Sequence, residues 1–118
     1  MNIQEIPVVK CIGDEGYKFI VVRVVDTEAK EEKFIIRAHQ NLQYHRNILA
    51  WLKEQELGGT GLKSTCIGGG RIRFDHENKT IKIWDRSGDF GKEPERALTV
   101  AILQEAYQGY VVSEQTDW

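Results

Sequence analysis

One histidine, one lysine and two glycine-bearing segments carry the chemical interest of this chain. His45 lies three residues after Leu42 and four before Leu49, on the apolar stripe of a helical repeat and close to that helix's start. A helix N-terminus offers free N–H groups and a partial positive charge, so an imidazole beside one can meet an oxyanion such as phosphate. Lys18 shares a strand face with Ile20, Val22 and Val24. An ammonium on an apolar face needs an anionic partner or a route to water, and the strand's start allows either. Arg37 stands at the end of its own strand on the face of Ile35, with solvent in reach.

The glycine segments are C-I-G-G-G-R at 66–71 and D-R-S-G-D-F-G-K at 85–92. Consecutive glycines weaken a strand and are useful where backbone must bend or come close to something. Neither segment has G-x-x-x-x-G-K-[ST] or G-x-G-x-x-G spacing. In the second, Ser87 and the N–H groups of Gly88 and Asp89 can form a small anion-binding concavity; an ordinary loop reads the same way. Cys66 has Arg71 five positions on, one residue short of the spacing by which cysteine phosphatases cradle phosphate, so Cys66 reads as packing. His39, His45 and His76 are the only histidines, and no metal-ligand spacing joins them. No G-x-S-x-G nucleophile elbow occurs.

These residues need elements to position them. Residues 6–11 read as a first strand, 17–25 as a strong second strand rich in β-branched residues, and 33–38 as a third in a hairpin with the second. Asn41 is the expected N-cap of a helix carrying Leu42, His45, Ile48, Leu49 and Leu52, which Gly58 and Gly59 end. Residues 62–67 lead into the glycines, and a strand resumes at 71–74. A turn at 75–79 joins it to a strand at 80–86. Pro94 suits the first turn of a second helix reaching about Tyr107, with Gly109 as its stop and a last strand at 110–115. Strands, helix, strands, helix, strand implies one mixed sheet with helices packed on it.

The 118 residues suggest a single domain spanning 1–118. With 41% hydrophobic and 29% charged residues the composition is that of a soluble globular protein. The net charge of −2 gives no basic stripe of the kind nucleic-acid binders show, so no nucleic-acid partner is expected. No apolar run approaches the ~20 residues that span a bilayer, and no membrane partner is expected. No signal-peptide pattern opens the chain. Cys11 and Cys66 read as two reduced thiols, which suits the cytoplasm.

Taken together, four segments in order resemble the phosphohistidine phosphatase family, also called the Janus/Ocnus family, from about Tyr17 to Val112. Y-K-F-I-V-V-R-V at 17–24 is similar to the family's lysine-bearing strand, and Q-Y-H-R-N-I at 43–48 to its Y-H-x-x-I helix motif. C-I-G-G-G-R-I at 66–72 resembles its most specific signature, C-x-G-G-G-R-I. The S-x-x-F-G-K pattern at 87–92 resembles its phosphate loop. The resemblance implies an α/β (α+β) fold with a single mixed six-stranded sheet flanked by two helices. It implies a metal-free, cofactor-free phosphatase of phosphohistidine-containing proteins or peptides, with phospholysine a further substrate, acting as a monomer. His45 would carry the general acid/base role, either activating a water or forming a transient phospho-intermediate, two routes the residues do not separate. Lys18, Ser87, Gly88 and Asp89 would bind the phosphoryl group, and Arg37, Tyr44, Gly70 and Arg71 would support the pocket. The other class of function compatible with these residues is a non-catalytic phosphate- or phosphoprotein-binding module.

One segment departs from the family pattern, which reads Y-G-Y-S with small neutral residues after the serine. Asp85 and Arg86 precede Ser87 here, and Asp89 adds a carboxylate. Turned outward, that carboxylate is harmless; turned inward, it repels phosphate, with Arg86 placed to offset it.

Overall fold

The computed structural model describes residues 2–13 and 16–116. Six strands form one mixed sheet in the order β1-β3-β2-β4-β5-β6. They are β1 (Val9–Ile12), β2 (Gly16–Asp26), β3 (Glu31–His39), β4 (Lys63–Asp75), β5 (Thr80–Trp84) and β6 (Val111–Glu114). The β1/β3 and β5/β6 pairs are parallel and the others antiparallel. Helix α1 (His45–Leu52) runs into a π-helical turn at Lys53–Leu57, and α2 (Arg96–Ala106) makes the crossover that parallel β5 and β6 require. This is the α+β sheet with two helices that the pattern of elements implies.

Both faces of the central strands are covered, which is why β2 reads F-I-V-V without polar alternation. On one face Ile20, Val22, Val24 and Ile35 pack with Ile48 and Leu52 of α1 and with Ile3 and Ile6. On the other, Phe19, Val21, Ile36, Ile72, Ile81 and Ile83 pack with Leu103 of α2. Asp26 closes the β2–β3 turn by accepting from the N–H groups of Glu28 and Ala29.

Several boundaries differ from expectation, each for a local reason. The chain opens with a 3₁₀ turn at Ile3–Glu5, capped by Asn2 Oδ1 on Gln4 N at 2.9 Å, so β1 starts at Val9 rather than at residue 6. Helix α1 begins at His45, not after Asn41. Asn41 N donates to His39 Nδ1 at 3.1 Å, and the cap is Tyr44, whose N–H donates to Asn47 Oδ1 at 3.2 Å. Strand β5 stops at Trp84 because Asp85 turns the backbone to φ 67°. Pro94 sits in the turn just ahead of α2.

The largest difference is β4. It runs unbroken through Gly68, Gly69 and Gly70, with Ile67 as the extra residue of a bulge between the Val21↔Gly68 and Val22↔Cys66 pairs. The sheet tolerates three glycines there because other groups fill the space their side chains would take. A Cβ on Gly68 would lie 2.1 Å from Glu93 N, and one on Gly70 2.4 Å from the Trp84 carbonyl oxygen. Gly88, by contrast, has open space around it. Gly68→Ala is therefore expected to lose stability at or above the top of the roughly 1–3 kcal/mol that overpacking costs. Gly88→Ala should stay within about 0.5 kcal/mol of wild type. Urea denaturation of the two variants measures the contrast.

Candidate functional site

His45 is the first residue of α1 and 5% exposed. Its Nε2 lies 2.9 Å from the Gly70 carbonyl oxygen. A carbonyl can only accept, so Nε2 carries the proton and the neutral ring presents its lone pair at Nδ1. Close approach of helix to strand makes this bond possible. A Cβ on Gly69 would stand 3.1 Å from His45 Cδ2 and 2.3 Å from the Phe19 carbonyl oxygen, so only glycine lets the imidazole reach the strand. Burial is the main influence holding His45 below the ordinary imidazole pKa, and the charges of Lys18 and Arg71 add to it. The Gly70 hydrogen bond and the Asp89 carboxylate pull the other way without prevailing. His45 is thus neutral at pH 7, with a basic nitrogen free to accept a proton.

The back of the glycine segment is held by residues with no obvious mark in the sequence. Arg96 Nη2 donates to the Gly69 carbonyl at 2.9 Å and to Glu93 Oε1 at 2.8 Å, while Thr99 Oγ1 donates to Glu93 Oε2 at 2.6 Å. Arg96, Glu93 and Thr99 are all buried. Gly69 faces His45, whereas Gly68 and Gly70 face Glu93 and Arg96. The three glycines are therefore gripped from both sides of the sheet. The only hint in the sequence is the i,i+3 spacing of an opposite-charge pair around Pro94.

Around His45 lie Tyr44, the preceding residue, and the charges of Lys18, Arg71 and Asp89, with Ser87 two residues before Asp89 in the same loop. Lys18 and Arg71 are direct cross-strand partners and share the α1 face. Lys18 Nζ donates to the Gln43 carbonyl at 2.6 Å and lies 5.3 Å from the centre of the Tyr44 ring. Arg71 Nε is 3.5 Å from Asp85 Oδ2, with both side chains about half exposed, a contact of little energetic weight. Ser87 is buried, and its Oγ accepts from the N–H groups of Asp89 and Phe90, both at 3.1 Å. The Asp89 N–H, an expected donor to the anion, is thereby taken up inside the loop. The Gly91 carbonyl accepts from both Ser87 N and Gly69 N at 3.1 Å, which ties this loop to the glycine strand. Gly88 lies exposed at the tip.

Asp89 turns inward. Its Oδ2 accepts from Arg46 N at 3.3 Å, the second amide of α1, and its Oδ1 lies 3.4 Å from Arg46 Nη1. The carboxylate therefore occupies part of the anion site that the helix start offers. The offsetting cation is Arg46, which stacks on Tyr44 at 4.2 Å, and not Arg86. Arg46 was not singled out in the sequence because an arginine in a first helical turn is ordinary.

Arg37 stands apart from this group. Far from reaching solvent, it is fully buried. Its Nε and Nη2 bind the two Glu56 oxygens at 2.8 Å each, and the Pro7 and Ile36 carbonyls accept at 2.9 Å. A weaker contact to the Val8 carbonyl at 3.5 Å takes the fifth donor. Its guanidinium has no N–H left for a phosphate. Cys66 Sγ donates to the Gly68 carbonyl, and burial pushes its thiol up to about 11, so it stays protonated as packing. Among the described residues, no cluster of three histidine, cysteine or carboxylate side chains is arranged to hold a metal ion.

A neutral imidazole, a lysine and a helix start are groups with which a protein can bind a small oxyanion and move one proton. The profile of the Janus/Ocnus family matches residues 3–111, and the chain belongs to that family. It is 30% identical to the sex-regulated protein janus-A of Drosophila pseudoobscura pseudoobscura over 94% of this chain and 76% of that protein. It is 32% identical to janus-A of Drosophila melanogaster over 86% of this chain and 73% of that one. It is also similar to the 14 kDa phosphohistidine phosphatase of Sus scrofa, at 26% identity over 98% of this chain and 94% of that protein.

Since Asp89 competes for the same helix amide as an incoming anion, Asp89→Asn should tighten binding of inorganic phosphate about three- to tenfold, or roughly 1 kcal/mol. Titration of backbone amide shifts at Arg46 and Gly88 with phosphate is the measurement. An unchanged affinity would show that the carboxylate does not stand in the anion's place.

Proposed function

We propose that this chain is a metal-independent protein phosphatase that hydrolyses the P–N bond of phosphohistidine, with phospholysine as a second substrate. The observation that carries the reading is the neutral His45, locked through Nε2 to Gly70 with Nδ1 basic and the charge of Lys18 acting on the ring. Lys18, the Ser87 hydroxyl and the Gly88 N–H are the donors for the nonbridging oxygens, with Arg46 N–H joining once Asp89 yields. Charge spreads over those oxygens as the bond breaks, so donors fixed in advance lower the barrier most. In the reaction, His45 Nδ1 takes a proton from a water as its oxygen attacks phosphorus. The P–N bond breaks, and the same proton passes to the leaving nitrogen. One water is consumed, and phosphate and the free side chain are formed. A P–N bond is weaker than a phosphate ester and its nitrogen is readily protonated, so the protein has one proton to manage.

The second reading is a phosphate-binding module without turnover. Asp89 favours it, because a carboxylate on the helix amide holds the place of one substrate oxygen. The janus-A proteins, at higher identity, carry no activity in their name. Two unpaired cysteines fit a cytoplasmic setting, and action as a monomer completes the proposal.

Phosphate release from a phosphohistidine peptide decides between the readings. Wild type is expected to turn over, and His45→Ala to lose about 10²- to 10⁴-fold in rate. Wild-type binding without release supports the module. Full activity in His45→Ala removes His45 from the mechanism.

The pH profile follows from the sign of each influence on His45. Its acid limb should fall below the ordinary imidazole value of about 6.5, since burial disfavours the charged ring. Asp89→Asn removes a raising charge and should move that limb lower. Lys18→Met removes a lowering charge and should move it higher. Opposite displacements in kcat/KM profiles, matched by NMR titration of the His45 ring, are the expected result.

A further inference from the structure

Beyond Gly69, where α1 meets β4, the face of β4, β5 and β6 on the α1 side of the sheet carries no helix, and it breaks a pairing rule twice. Lys18 lies directly opposite Arg71, and Arg73 directly opposite Lys82. Like charges across a strand pair repel and are normally avoided. Arg73 and Lys82 are exposed, and neither has an ion-pair partner among the described residues. Trp84 follows Arg71 across the sheet, half-buried, at the edge of a depression of about 500 Å³ that Arg73, Asp75, Thr80 and Lys82 also line. Two carboxylates border this face: Asp85 lies 3.5 Å from Arg71 Nε, and Asp75, which accepts from Asn78 N at 3.0 Å and Nδ2 at 2.9 Å, also feels the charge of Arg73. A chain with net charge −2 thus concentrates four cations in two adjoining rungs, beginning at the lysine beside His45. Like charges set opposite one another with only partial compensation break a local rule, and such breaks are expected at functional surfaces.

We propose that this bare basic face docks an acidic, extended segment of the polypeptide that carries the phosphorylated residue. This rests on the phosphatase reading above and names the class of its substrate. Side chains two apart on a strand stand about 7 Å apart, the same repeat as alternate side chains of an extended peptide. With the phosphoryl group at His45 and Lys18, carboxylates at every second position fall along the row from Arg71 to Arg73. Lys82 lies one strand over, and Trp84 gives the aliphatic parts a surface to lie on.

The test uses two phosphohistidine peptides, one with aspartates at alternate flanking positions and one with asparagines there. Turnover and fluorescence-anisotropy binding are measured for wild type and for the Arg73→Glu/Lys82→Ala double variant, with phosphoramidate as the small substrate. Wild type is expected to favour the acidic peptide about tenfold through KM, a preference that fades as salt rises. The double variant should lose the preference, keep phosphoramidate turnover and keep its melting temperature, since it removes a repulsion rather than a contact. An equal preference in both proteins overturns the proposal, as does tighter anisotropy binding to a single-stranded oligonucleotide of matched charge. If wild type hydrolyses neither phosphoramidate nor peptide, the phosphatase reading fails. Anisotropy with the acidic peptide then still decides the docking face.

Discussion

The bond between His45 Nε2 and the Gly70 carbonyl is the contact on which the site depends. It fixes the ring's tautomer and angle, and burial of the ring against the strand keeps it uncharged. It exists because glycine at 69 lets α1 settle onto β4 with no side chain in between. That same bareness would leave the strand weak, and the opposite face answers it. Glu93, Arg96 and Thr99 form a buried polar cluster whose guanidinium holds the neighbouring carbonyl at Gly69. A buried ion pair of this kind is a poor source of stability, but it demands one geometry. The imidazole and the arginine therefore pin adjacent peptide groups from opposite sides of one sheet.

The anion site in front of that ring is electrostatically balanced rather than simply positive. Lys18, Arg46 and Arg71 surround it, while Asp89 and Asp85 each engage one of the arginines. Asp89 matters most because it binds a backbone amide at the helix start as well as the guanidinium above it. On the proposed function, a dianion bound here would have to displace the Asp89 carboxylate from the helix amide, and a phosphoryl group, able to use more donors at once, would gain more from doing so than a singly charged ligand.

The sheet separates three tasks. Its α2 face builds a core and the buried cluster, the β2–β3 part of its α1 face and Gly69 of β4 support α1, and the rest of that face, from Arg71 across to β6, is left open. The unmatched cations on the open part are tolerable because water screens them, so they add to the local field around the site at small cost to the fold. Arg37 shows the contrast. An arginine on the same sheet, two strands from the site, spends its donors on the π-helical turn, the chain before β1 and its own strand.

Much of this was legible in the residues themselves. The run at 17–25 forms a covered central strand because β-branched side chains suit a two-sided core, and Gly58 caps the turn that ends the first helical stretch, whereas α2 stops at Ala106 with Tyr107 as its cap, ahead of Gly109. His45 on an apolar stripe near a helix start, Lys18 on an apolar strand face and the serine loop all showed as polar residues out of keeping with their pattern. Tertiary packing decided the rest. Whether the three glycines broke β4 or continued it depended on what filled their empty side-chain positions, and Glu93, Arg96, Trp84 and His45 come from distant parts of the chain. Arg37 looked like a strand-end residue with access to solvent, yet Glu56, nineteen positions away, enclosed it. The direction of Asp89 was open for the same reason. Periodicity and composition report each residue's local preference, but which partner satisfies a charge is settled only when separate segments meet in three dimensions.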